Sequence, residues 1–196
     1  MDTFVHLEVQ SAYSFLWGTF TPEELVREVA ALGQHAVALT DDGLHGAVRF
    51  YKAALAAGVQ PIVGARVSLW DGSPITLLAS NFASYRNLCR LVSISFEQGA
   101  TQRNPITKQD LTHWSPGLIC LAAGRGSTIR SALEKGNHDA AHARLQELKE
   151  VVQDPERLFV VLQNHDPHGD TSGQALQIMR QATELAAHLG LATVAT

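Results

Sequence analysis

The sequence predicts an α/β protein folded as a closed or nearly closed barrel of seven strands on a mostly parallel sheet. Strand-length apolar segments alternate with helical segments about seven times along the 196 residues. Polar and glycine-bearing residues gather just after the apolar segments, at Asp41 and Asp42, at Gly124 to Ser127 and at Asn164 to Asp166. Barrels of parallel strands carry their sites at those strand ends. With 45% hydrophobic residues, the length suits one domain with a full core. Residues 1–196 read as that single domain, with no internal repeat or low-complexity segment.

The elements follow in order. From Val5 to Gln10 apolar and polar residues alternate, the period of a strand with unlike faces. Val5, Leu7 and Val9 then face one way, and His6, Glu8 and Gln10 face the other and line a pocket. A turn runs from Ala12 to Phe20. Thr21, Pro22 and Glu24 open a helix as cap, first-turn proline and capping-box partner, and Gly33 closes it. Ala36 to Leu39 is a short apolar strand of the kind buried on both faces. A helix follows from about Leu44 to Ala57, then strands from Gln60 to Leu69 and from Ile75 to Ala79, with a turn at Asp71 and Gly72.

Phe82 to Phe96 is a helix, and Gly99 to Pro105 a loop. Thr107 or Ser115 starts a short helical turn. Leu118 to Ala122 is the fifth strand, and Gly124 to Ser127 reads as an ordinary strand–helix turn in preference to a phosphate loop. Helices follow over Thr128 to Glu134 and His138 to Val152. Leu158 to Leu162 is the sixth strand, Ser172 to Leu189 the last helix and Ala192 to Ala195 the seventh strand.

Composition narrows the function. A formal net charge of −4 and the lack of a basic block argue against an electrostatic grip on nucleic acid by this chain alone. Cys89 and Cys120 lie in apolar stretches and read as buried free thiols of a cytosolic protein. No apolar run approaches roughly 18 residues and no signal segment opens the chain, so a cytoplasmic protein without membrane contact is expected. His35, His113, His138, His142, His168 and His188 read as surface residues without metal-binding spacing.

The stretch from Phe4 to Gly18 resembles the start of the PHP (polymerase and histidinol phosphatase) domain at the N-terminus of bacterial C-family DNA polymerases, the DNA polymerase III alpha subunit and its error-prone relatives. Ala38 to Tyr51, Gly58 to Gly64, Tyr85 to Val92, Leu162 to His165 and Leu189 to Thr196 are similar to further blocks in the same order. The resemblance implies a distorted seven-stranded PHP-type barrel, in a fragment of a larger polymerase subunit. Active members hold a cluster of zinc, manganese or magnesium ions that activates water to cut a phosphoester.

Carried over residue by residue, that ligand set is broken. The family's histidines fall at Glu8 and Gln10, an aspartate at Trp17, its Asp-His pair at Asp41 and Asp42, a glutamate at Arg66 and another ligand near Gly124. Its last Asp and His are expected beyond Thr196. The resemblance therefore implies a vestigial metal set of His6, Glu8, Asp41, Asp42 and His165, lined by Gln10, Trp17 and Arg66, with no cofactor and no catalytic residue. Trp17 either plugs the space a metal would take, the favoured reading, or offers an aromatic to a partner. Arg66 stays charged, and at about 5 Å its repulsion of a divalent cation is several kcal/mol. It is expected to pair with Glu8, Asp41 or Asp42 instead.

Three functions follow from the resemblance. One is a structural and partner-docking domain of a replicative polymerase, touching the remainder of that chain, a proofreading exonuclease subunit, and DNA only through the full polymerase. The second is a metal-dependent phosphoesterase or 3′–5′ exonuclease, for proofreading or pyrophosphate hydrolysis. The third, a free-standing small-molecule phosphatase, is disfavoured by the polymerase-type block from Tyr85 to Val92.

Overall fold

The computed structural model describes residues 4–96, 104–164 and 173–196. Among them lie six strands and seven α-helices in the order α1 (Pro22–Ala31), β1 (Ala36–Leu39), α2 (Ala47–Ala56), β2 (Gln60–Ser68), β3 (Pro74–Ala79), α3 (Phe82–Phe96), α4 (Lys108–Trp114), β4 (Leu118–Ala122), α5 (Thr128–Glu134), α6 (His138–Val151), β5 (Leu158–Leu162), α7 (Gln174–His188) and β6 (Ala192–Ala195). The strands form one curled sheet in chain order, β1 to β6.

The local signals explain most boundaries. Thr21 and Glu24 cap α1 reciprocally, with Pro22 in the first turn. Thr107 and Asp110 do the same for α4, so Thr107 starts that helix and Ser115 ends it. Ser127 caps α5 and Asn137 caps α6 through their side chains. The predicted start of the last helix at Ser172 lies outside the described residues.

Two expectations about the sheet are corrected. It is mixed: β1/β2, β4/β5 and β5/β6 are parallel, whereas β3 runs antiparallel to both β2 and β4. The cause is the turn at Asp71 and Gly72, where Leu69 N–H donates to Ser73 O and Gly72 N–H to Leu69 O, both at 2.8 Å. A connection that short joins only antiparallel strands. The first expected strand, Val5 to Gln10, also does not form as a sheet strand, which leaves six strands among the described residues. The opening segment lies along β1, with Ala38 N–H on His6 O and Thr40 N–H on Val9 O, each 2.8 Å. Only His6 and Val37 form a bridge.

The reason is that this segment does not keep two faces. Leu7 packs with the inner layer of the sheet, while Val9 packs with the outer cluster under α1 and α2. The inner layer is Ala38, Leu78, Leu121 and Val161, with Ile62, Ile119, Phe159 and Val194 against it. The residues between them along each strand, such as Leu77, Cys120 and Val160, face the main outer core beneath α3 to α7. Burial of Cys120 pushes its thiol up to about 12. Gly64 is needed where β2 passes β3, because a Cβ there would meet Leu78 Cδ2 at 2.6 Å and Leu77 O at 2.7 Å.

The β2–β3 turn is tied to α5 by Asp71. Its Oδ1 accepts Ser73 N–H at 2.9 Å, and its Oδ2 accepts Ser73 Oγ–H at 3.1 Å and Thr128 Oγ1–H at 2.9 Å. Burial works to raise the Asp71 carboxyl, but these donors, with Arg144 nearby, hold it below the ordinary aspartate range. A depressed folded-state value contributes stability above the unfolded value of about 3.9 and loses it as pH falls below that value and through the lower folded-state one. Acid melts of Asp71→Asn should therefore have a shallower loss of stability below about pH 4 than the parent. Identical acid limbs in the two proteins would refute this tie.

Candidate functional site

The inner-face residues nearest the barrel mouth are polar. They are Thr40 after β1, Arg66 on β2, Thr76 on β3 and Gln163 after β5. With Glu8, Gln10, Trp17, Leu121, Gly124 and Arg125 they line a cavity of about 130 Å³. Its wall on one side is the opening loop, Ser11 to Gly18. That loop closes on itself through Ser14 N–H to Ser11 O at 2.9 Å and Trp17 N–H to Ser14 O at 3.0 Å. A Cβ at Gly18 would stand 2.1 Å from Ser11 O, so only glycine allows the closure.

Asp41 holds the loop to the sheet. It is 1% exposed, and its carboxylate accepts Ser11 N–H at 2.6 Å and the hydroxyls of Ser11 and Ser14, both at 2.7 Å. Ser14 Oγ in turn accepts Asp42 N–H at 3.0 Å. The Asp41 carbonyl accepts Arg66 N–H at 3.0 Å.

Glu8 occupies the centre of the pocket wall. Oε1 accepts Thr76 Oγ1–H at 2.6 Å, and Oε2 accepts Gln163 Nε2–H at 2.5 Å and Thr196 Oγ1–H at 3.1 Å. Gln163 is itself oriented by Arg125 N–H on its Oε1 at 3.2 Å. All the groups bonded to the carboxylate are neutral. Thr76, Gln163 and Thr196 were not among the residues expected from sequence, and their signal is parity: each is two residues along its strand from an inner-layer residue, Leu78, Val161 or Val194.

The remaining expected residues divide. Gln10 donates to Asp42 Oδ1 at 3.3 Å. His6 does not reach the pocket; it is exposed, with its ring edge-to-face on Phe4 at 4.8 Å. Arg66 makes no ion pair with Glu8, Asp41 or Asp42. It donates to Arg125 O at 3.4 Å, and its guanidinium lies 5.4 Å from the centre of the Trp17 ring. The three carboxylates already have donors, and Trp17 gives the cation a π face. Trp17 is 56% exposed and also carries Arg125 at 5.9 Å, so it forms the rim of the pocket and does not plug it. His165 lies outside the described residues.

These residues do not fit a bound divalent cation. Both oxygens of Glu8 are engaged, Gln10 offers an amide, and Arg66 brings positive charge to the same cavity. Among the described residues no group of three or more His, Cys, Asp or Glu side chains is placed to hold a metal ion.

The profile of the PHP domain matches residues 6–165. The DNA polymerase III subunit alpha of Pseudomonas aeruginosa is 38% identical over 169 residues, covering 82% of this chain and 14% of the relative. That of Escherichia coli K12 is 35% identical over 201 residues, covering 98% of this chain and 17% of the relative. The chain thus spans about one-sixth or less of the length of these relatives. Among solved structures, an amidohydrolase from Chromobacterium violaceum with bound sulfate and no metal aligns with a TM-score of 0.60 at 16% identity, over 96% of this chain and 84% of that one. A candidate metal-dependent phosphoesterase from Bifidobacterium adolescentis aligns at 0.58 and 13%, over 100% of this chain and 87% of that one. These two likenesses show the fold alone.

The Asp41 arrangement has a measurable consequence. Asp41→Ala leaves buried donors of Ser11 and Ser14 unmatched and should destabilise the fold by about 3 kcal/mol in denaturant titrations. It should also open the Ser11 to Gly18 loop to proteolysis. An unshifted midpoint would show that the loop is held by other means.

Proposed function

The chain belongs to the PHP domain family, and on that premise we propose that it serves as a non-catalytic PHP domain of a bacterial DNA polymerase III alpha-type subunit in DNA replication, with a structural and docking role. The observation that carries this reading is Glu8. Its half-buried carboxylate is held by Thr76, Gln163 and Thr196, neutral groups that take the place a metal ion has in a live site. Trp17 and Arg66 support it, since neither can ligate.

The docking role is supported by exposed apolar side chains. Val48, Tyr51 and Leu55 recur along α2 at one-face helical spacing and are all exposed, as are Phe15 and Leu16 at the tip of the opening loop. The occupant proposed for these faces is the remainder of the polymerase polypeptide. A proofreading exonuclease subunit is the separate partner such a domain would serve, with DNA reached only through the full polymerase. The setting is the cytoplasm; no described helix is long and apolar enough to cross a membrane.

A second reading, a metal-dependent phosphoesterase or 3′–5′ exonuclease, is favoured by the carboxylates of Glu8, Asp41 and Asp42 kept at the strand ends and by the phosphoesterase-like fold. Zinc, manganese or magnesium would be its cofactor. The two readings part in one assay. Cleavage of a phosphodiester by the purified chain with added manganese should equal that of a Glu8→Ala/His165→Ala variant. Manganese-dependent cleavage that vanishes in His165→Ala would overturn the non-catalytic reading.

A further inference from the structure

The opening loop carries three consecutive large apolar side chains outward. Phe15 is 82% and Leu16 87% exposed, and Trp17 beside them is 56% exposed. Exposed apolar residues occur singly on most soluble domains, but three in succession at one loop tip mark a contact surface. The tip is also held firmly. Besides the bonds of Ser11 and Ser14 to Asp41, Ala12 N–H reaches Phe20 O at 2.8 Å and Gly18 N–H reaches Ser14 O at 3.2 Å. Arg49 donates to Tyr13 Oη at 3.1 Å and to Glu23 Oε1 at 2.7 Å, so the loop is tied to α1 and α2 as well. The turn keeps Leu16 in the left-handed backbone region, at φ 67°. A strained backbone that presents an exposed side chain serves a contact outside the domain, since it adds nothing to the domain's own packing.

Cations flank this tip. The guanidiniums of Arg66 and Arg125 lie 5.4 and 5.9 Å from the centre of the Trp17 ring. Among the described residues neither pairs with a carboxylate, because Glu8 and Asp41 take neutral donors. We propose that the loop tip and these two arginines form one docking site for an acidic segment, bearing apolar side chains, of the polymerase polypeptide outside this domain. The proposal rests on the docking role above and names the chemistry of what docks. Apolar side chains of the segment cover Phe15 and Leu16, and its carboxylates take the guanidinium forks, whose geometry they match. Trp17 joins the two halves; tryptophan and arginine are the side chains that most often anchor interfaces. Because the loop is already held, docking loses little conformational freedom. A nucleic-acid strand fits less well. It would carry a charge at every step past Glu8 and Asp42, which line the adjoining cavities, and Leu16 offers it neither a stacking face nor a hydrogen bond.

The test titrates the chain into a fluorescein-labelled random copolymer of glutamate and tyrosine, read by fluorescence anisotropy. Labelled polyglutamate and single-stranded oligothymidylate of matched length are the comparisons. The copolymer should bind saturably, and both comparisons about tenfold or more weakly. Phe15→Ser/Leu16→Ser and Arg66→Gln/Arg125→Gln should each weaken copolymer binding about tenfold or more, with circular dichroism unchanged from the parent. The proposal fails if the copolymer does not saturate, or if either double variant binds it as the parent does. It fails equally if polyglutamate binds as well as the copolymer, or if the oligothymidylate does, which would mark a nucleic-acid site instead. All these outcomes are independent of the manganese cleavage assay, so the docking site can fail while the non-catalytic reading stands.

Discussion

The structure at the barrel mouth depends on one buried negative charge. Asp41 sits where β1 ends, with no cation against it, and a carboxylate in that position is tolerable only if its oxygens are filled by donors. Three groups of the opening loop fill them. The same residue's carbonyl takes the Arg66 amide, so loop, β1 and β2 are locked together at a single point. Everything the loop presents follows from that lock. It sets Trp17 at the rim, and it sets Phe15 and Leu16 outside. Leu16 is 87% exposed in the left-handed backbone region, at φ 67°, a conformation that costs an ordinary residue about 1 kcal/mol or more. The Asp41 bonds on both serines offset that cost.

Glu8 is satisfied by the same principle with different donors. Where a divalent ion would neutralise it, hydroxyls and an amide stabilise the charge by hydrogen bonding alone. This leaves the arginines free of it. Arg66 and Arg125 instead share the π face of Trp17, worth roughly 0.5 to 1 kcal/mol each at an exposed site. Acids and bases balance across the cavity without touching, an arrangement that is different from the direct ion pair the sequence suggested.

The family, the strand-length segments, the double-sided burial of β1 and the caps at Thr21 and Thr107 were all legible in the residues. Asp41 and Glu8 were picked out in the residues as metal ligands, whereas in the structure their carboxylates accept hydrogen bonds from neutral donors. The phase of the inner strands was not. A segment such as Leu158 to Leu162 is apolar on both faces, so its sequence does not say which residues look inward. That choice is made by where the helices pack, and it puts Gln163 and Thr196 on Glu8. In the opening segment the alternation was real in sequence but not in space, because Leu7 and Val9 belong to different cores.

The reversal of β3 explains the donor that rules about barrel mouths would miss. In an all-parallel barrel every strand offers its C-terminal end to the site. Here β3 offers its beginning: Thr76 pairs with Arg66 on one side and Leu121 on the other, and all three line the cavity. The tight turn at Asp71 and Gly72 causes that reversal, so it delivers both Pro74 and Thr76 to the pocket. A hairpin turn visible in the sequence therefore supplies one of the three neutral donors on Glu8, and the substitution of hydrogen bonds for metal depends on the strand direction it imposes.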